Sequence, residues 1–275
     1  MFRLKTAVIA LGLAALAACG SEPKSTTTTL MAPGTLSAAQ YRAPGIPTNF
    51  GDRSPHDWDG RVPAAYPVHG IDAARYQGVI NWRQAAAAGT RFAWLKATEG
   101  GDHIDPGYAL NSGPARRAGV AVGAYHFYYF CRTPVEQAKW FIDRVDRHSG
   151  DLPPVLDIEW NHQSKTCKRR PDAATVRREM RIFLDLVTAH YGTSPVIYTT
   201  VDFWADNDLE HLGNYDFWLR SVAGHPSLKY PGTRWVFWQY SGTGIVPGVG
   251  GTVDLNAFAG SDAGWRRWFA SRAQP

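Results

Sequence analysis

Cysteine is scarce: three occur in 275 residues, and none has histidine nearby at ligand spacing, so no structural zinc site can be read from the chain. No internal repeat is evident, which sets aside solenoids and propellers. A recognised nucleic-acid motif and a continuous basic stripe are both missing, so nucleic acid is not an expected partner. The formal net charge is only +5, and the basic residues are scattered apart from the run Lys165-Thr166-Cys167-Lys168-Arg169-Arg170. That run could attract an anionic polymer, but it also reads as a solvated loop that needs no ligand. No cofactor and no metal are implied.

What is present begins at the N-terminus. Arg3 and Lys5 precede an apolar run over 7–16 that is too short for a comfortable membrane span, followed by small residues. Residues 1–18 therefore read as a secretory signal peptide. Leu16-Ala17-Ala18-Cys19 resembles a bacterial lipobox, with Cys19 as the lipidated first residue of the mature chain. Gly20 rather than Asp follows, which by resemblance to the sorting rule directs the anchor to the outer membrane, facing the periplasm. Residues 19–66 are rich in Ser, Thr, Pro, Gly and Ala without apolar periodicity, and read as a disordered tether. A flexible segment of this length has a root-mean-square reach of roughly 40 Å, enough to carry a membrane-anchored domain toward a wall layer. With Cys19 lipidated, Cys131 and Cys167 remain, and an even count in an exported protein implies a disulfide between them.

Residues 67–275 suit one domain, expected to act as a monomer. Strand patterns fall over 68–72, 91–98, 120–129, 154–160, 195–201, 216–222, 234–241 and 252–258. Helical patterns fall over 82–88, 106–118, from 133 onward, over 172–191 and over 262–271. Eight strands, with helices mainly between the early ones, predict an α/β fold: an irregular, TIM-barrel-like (β/α)-barrel whose second half has reduced helices.

The most informative stretch is Pro153-Pro154-Val155-Leu156-Asp157-Ile158-Glu159-Trp160. In a strand, Asp157 and Glu159 would share a face. Two neighbouring carboxyls cannot both ionise freely, so one is pushed toward a pKa suited to proton donation, the chemistry of glycosidic cleavage. The bare pattern recurs at Asp208-Leu209-Glu210 in a polar stretch, so only its position at the end of a buried strand distinguishes the first copy. Barrel enzymes place their chemistry at strand C-termini. Those ends here carry Asp72, Glu99, Tyr125, His126, Asp157, Glu159, Tyr198, Trp218, Trp238, Gln239 and Asp254, a carboxylate, aromatic and amide set suited to sugars. His126 also reads as a satisfied barrel histidine, Lys96 as a charge paired with Glu99 or Asp72, and Trp218 and Trp238 as simple core.

Seven blocks stand in the order of a known family: His69-Gly70-Ile71-Asp72 with Tyr76-Gln77, Phe92 to Gly100, Gly123-Ala124-Tyr125-His126-Phe127, Leu156 to Glu159, Pro195-Val196-Ile197-Tyr198, Phe237 to Ser241, and Val253-Asp254-Leu255-Asn256. Through them the chain resembles the family-25 glycoside hydrolases, muramidase-type lysozymes. The resemblance implies hydrolysis of the β-1,4 bond from N-acetylmuramic acid to N-acetylglucosamine in peptidoglycan glycan strands. It makes Glu159 the general acid, and Asp157 the group that steadies the substrate's N-acetyl as it attacks the anomeric carbon. Asp72 and Asp254 would set the field and orient the sugar, with Tyr125, Tyr198, Trp218, Trp238 and Gln239 binding it. The chain departs from the family at Trp218-Leu219-Arg220-Ser221-Val222, where the family often has Trp-x-Ala-x-Tyr, and in an insertion over 161–170. Two other classes remain open: a catalytically inactive peptidoglycan-binding lipoprotein, and a metal-dependent deacetylase built on Asp72, His126 and Asp157.

Overall fold

The computed structural model describes residues 46–47, 49–58 and 60–275. The expected signal peptide, Cys19 and the first part of the tether lie outside the described residues. After a short strand β1 (Gly51–Asp52), the barrel opens with β2 (His69–Ala73), α1 (Trp82–Ala88) and β3 (Phe92–Glu99). The small strand β4 (His103–Ile104) then leads into α2 (Pro106–Arg117), β5 (Ala121–Phe127), α3 (Pro134–Ile142) and β6 (Val155–Asp157). The second half holds α4 (Ala173–Tyr191), β7 (Val196–Thr199), α5 (Val201–Asn207), β8 (Asp216–Arg220), α6 (Pro226–Lys229), β9 (Phe237–Ile245), β10 (Val253–Phe258) and α7 (Asp262–Arg272).

Local chemistry sets most of these boundaries. The Asn81 side chain accepts the Gln84 N–H to start α1, and Gly89 ends it at φ 114°. Thr133 and Glu136 form a reciprocal capping box around Pro134. Asp172 caps α4, and Gly192 terminates it in the left-handed region.

Eight strands close in the order β2-β3-β5-β6-β7-β8-β9-β10, with β10 returning to β2. All neighbours from β2 round to β9 run parallel, whereas β10 is antiparallel to both β9 and β2. The expected irregular barrel is thus present, with only α5 and α6 as short helices between the later strands. Its interior is plugged by aromatic rings from alternate strands, including Phe92, Trp94, Trp218 and Phe237. Trp94 and Trp218 stack at 4.7 Å between ring centroids.

Three sequence expectations change. The strand expected over 154–160 pairs only from Val155 to Asp157, so Glu159 lies past the ladder. Inside–outside alternation nevertheless continues, with Leu156 and Ile158 packed on the helix side and Asp157 and Glu159 on the cavity side. The strand expected to reach residue 201 stops at Thr199, and Val201 opens α5. Described residues between Ile46 and Tyr66, read as the end of a tether, already pack on the barrel. β1 pairs with β9, the Thr243 hydroxyl donates to Asp52 Oδ1 at 2.6 Å, and Ile46, Phe50, Trp58 and Tyr66 cover the outer core. Single aromatics that each fill one niche carry no period, so pattern reading passes over them.

Candidate active site

Because six of the barrel strands run parallel into β9, their C-terminal ends gather at one mouth, where Asp72, Lys96, Tyr125, Phe127, Asp157, Glu159, Tyr198, Trp218, Arg220 and Gln239 line a cavity of about 230 Å³ with Asp254. Asp254 stands near the start of its strand rather than its end. It reaches the same mouth because β10 is reversed, which sets it directly opposite Asp72 in the ladder.

A relay of side chains fixes Asp72. The Gln239 amide donates to Asp72 Oδ1 at 2.9 Å, and the Asn256 amide donates to the same oxygen at 2.8 Å. Behind them, Tyr198 donates its hydroxyl to Gln239 Oε1 at 2.9 Å and the Trp218 indole donates to Asn256 Oδ1 at 2.8 Å. Both amides are thereby locked in one orientation. Trp218 sits beneath the cavity as much as beside it, joining the barrel plug to the carboxylate above.

The electrostatics follow from crowding four acids into a dry space. Burial pushes Asp72 up to about 6, against the Asn256 and Gln239 hydrogen bonds that pull it down. Burial and then the Asp72 charge push Asp254 up to about 8, so near neutral pH its protonated carboxyl donates to Asp72. Burial, with the Arg220 guanidinium opposing it, brings Glu159 to about 7. Asp157 is raised well above the usual carboxylate range, first by burial and then by Glu159. Asp157 Oδ1 is buried without a hydrogen-bond partner. An acid near 7 beside a second carboxyl at the same cavity is a pair in which one group can give a proton while the other holds the substrate.

Other expected residues fall elsewhere. Trp238 does not reach the cavity. It points outward from β9 into a cluster with Trp58, Tyr66 and His225, and donates its indole N–H to the Ser221 carbonyl. Its neighbour Gln239 faces inward, and adjacent strand residues cannot both do so. His126 faces α3 and α4, held between Thr98 Oγ1 at 2.7 Å and Gln137 Oε1 at 3.2 Å, and stacks on Phe183. Burial lowers it to about 4. The deacetylase set of Asp72, His126 and Asp157 is therefore not brought together. Lys96 pairs with Glu99 at the cavity wall. The disulfide joins Cys131 and Cys167, as expected, linking the loops after β5 and β6.

Reading of strand ends missed Arg220, Asn256 and Tyr76. Asn256 lies two residues beyond Asp254 and so shares its face, a signal that was available. Tyr76, 74% exposed, stands at the cavity rim. Arg220 lay in the segment where the chain departs from the family pattern.

Known proteins resemble this chain in sequence and in fold. The pattern of the Glycosyl hydrolases family 25 matches residues 71–249. Lysozyme M1 of Streptomyces globisporus is 36% identical over 208 residues, covering 71% of this chain and 69% of that protein. The structure of a family 25 glycosyl hydrolase from Bacillus anthracis superposes with a TM-score of 0.70 at 31% identity, covering 78% of this chain and 98% of the other. A bacterial lysozyme from Streptomyces coelicolor gives a TM-score of 0.64 at 36% identity, covering 74% and 95%.

Proposed function

The chain belongs to glycosyl hydrolase family 25 and is a glycoside hydrolase, and from that premise we propose that it cleaves the β-1,4 bond from N-acetylmuramic acid to N-acetylglucosamine in peptidoglycan. The observation that carries this reading is the pairing of Glu159 with Asp157 at one cavity, with the Glu159 carboxyl near 7.

In the proposed reaction Glu159 donates its proton to the glycosidic oxygen as the bond to the anomeric carbon breaks. The substrate's acetamido oxygen attacks that carbon, and Asp157 accepts the acetamido N–H. Water then adds at the anomeric carbon, opening the ring so formed and returning a proton to Glu159. Asp72, held by Gln239 and Asn256, and Asp254 orient the sugar and set the field, with Tyr125 and Tyr198 lining the ring site. Attachment through Cys19 to the outer membrane, facing the periplasm, completes the proposal. A Cys19→Ala protein recovered in the soluble fraction, with the parent in membranes, would support that attachment.

The deciding assay incubates the soluble domain with purified peptidoglycan, beside Glu159→Gln. Borohydride reduction and hydrolysis then identify the sugar alcohol at new ends. Muramitol from the parent, with a rate about 10²–10⁴ lower in the variant, is the expected result. Glucosaminitol would move the cleaved bond, anhydro ends would mean a lytic transglycosylase, and no new ends from folded protein would favour a wall-binding lipoprotein.

A further inference from the structure

The catalytic cavity does not end at Glu159. Glu159, Tyr198 and Arg220 also line a larger open chamber of about 750 Å³ on their far side. Its apolar wall includes Val201, Ala205 and Val222, and Lys229 stands on its rim. His162 connects this chamber to a third, of about 230 Å³, lined by Asn161, His162, Lys168, Arg169 and Arg170. This third chamber is built from the basic run that the catalytic reading leaves unused.

Cations exceed available anions here. Asp202 is engaged, accepting from the Thr200 hydroxyl at 2.6 Å and from His162 Nε2 at 3.1 Å. His162 in turn accepts at Nδ1 from Arg170 at 2.8 Å. Arg170 also lies 4.9 Å over the Trp160 ring, which fixes its plane. Among the described residues, Lys168 and Lys229 enter no ion pair. The Cys131–Cys167 bond and an Arg169 hydrogen bond to the Phe130 carbonyl brace the loop that presents Lys168 and Arg170. A merely solvated loop has no need of such bracing next to a catalytic acid, whereas a binding loop gains from ordering before its ligand arrives.

Neutral sugar hydroxyls would leave these charges unmatched. The substrate assigned to the cleft also carries a short peptide on each muramic acid, and with the lactyl carboxyl tied up in that amide link, the fixed anions of an uncrosslinked strand are the stem's own carboxylates. We propose that the two outer chambers form a subsite for this acidic stem peptide, with Lys168, Arg170 and Lys229 meeting its carboxylates and the wall of Val201, Ala205 and Val222 receiving its small apolar side chains. The inference rests on the peptidoglycan reading of the cleft.

The test uses soluble glycan strands with uncrosslinked stems, in two forms: stem carboxylates free, or capped as neutral methylamides. Wild-type protein is expected to show kcat/KM about five- to tenfold higher on the free form, the size that three exposed charge contacts supply. That preference should fade at about 0.5 M salt, where screening is strong. The Lys168→Gln/Arg170→Gln protein is expected to lose most of this preference, and Lys229→Gln, in the other chamber, to lower it by a smaller factor. A wild-type ratio near one, or a ratio that neither variant moves, overturns the subsite while leaving the cleavage reading intact. No new ends from either strand overturns both.

Discussion

Glu159 stands between two opposed influences, burial that raises its carboxyl and the Arg220 guanidinium that lowers it. A general acid works protonated, so activity falls as pH rises through its pKa. Replacing Arg220 by Gln removes the lowering influence and is expected to move the alkaline limb of the kcat/KM profile upward by about half a unit to one unit. A limb that stays in place or moves down would show that the guanidinium does not act on this carboxyl. At this scale much of the site was legible: Asp72, Asp157 and Glu159 were marked by ending apolar runs. For Trp238, strand-end composition leaves sugar binding and simple core both open, and the structure gives core because Gln239 beside it is the residue that turns inward. Arg220 was invisible for a different reason, since a lone arginine after a strand reads as surface until the fold places it opposite a carboxyl.

Among the elements, β5 shows how closely the barrel interior is fitted. A Cβ on Gly123 would lie 2.5 Å from the Trp94 indole, which stacks on Trp218, which holds Asn256 against Asp72. Gly123→Ala is expected to cost about 1–3 kcal/mol in urea unfolding, because the ring has nowhere to retreat. A loss below ~0.5 kcal/mol would mean that the plug adapts freely. The disulfide acts on the unfolded chain instead. With its ends 36 positions apart in sequence, converting both Cys131 and Cys167 to Ser is expected to cost about 4 kcal/mol on the chain-entropy estimate, read as a lower denaturation midpoint. Helix limits were well marked in the sequence because capping is local. The end of β6 was not, since Asp157 and Glu159 have the same alternation and only the neighbouring strands decide where pairing stops.

For the whole molecule, collecting acids at one mouth makes stability depend on pH in a definite sense. Glu159 and Asp254 have folded pKa values near 7 and 8, above their ordinary values of 4.5 and 3.8. Between pH 6.5 and 9 the folded state therefore holds protons that the unfolded state has already released, and stability falls as pH rises. The buried His69 and His126, both lowered to about 4, act in the opposite sense only below about pH 6.5, where unfolded histidines gain protons. With Asp157 raised in the same sense, the protein is expected to be at least about 2 kcal/mol less stable at pH 9 than at pH 6.5, and Asp254→Asn should narrow that difference. An unchanged difference in the variant would show that Asp254 is not held protonated by the fold.

The sequence by itself determined the alternation of strands and helices, the caps that bound α1, α3 and α4, the carboxylates at strand ends and the pairing of two cysteines. Each of these depends on neighbours along the chain or on a count. Only the tertiary structure decided that β10 runs backward, which brings Asp254 opposite Asp72 from the wrong end of its strand. It also decided that Ile46, Phe50, β1, Trp58 and Tyr66 belong to the domain, and that the basic loop lines a chamber joined through His162 to the one beside Glu159. Strand direction, the seating of single aromatics and the meeting of distant loops are set by closure of the barrel, where the deciding contacts join residues far apart in sequence.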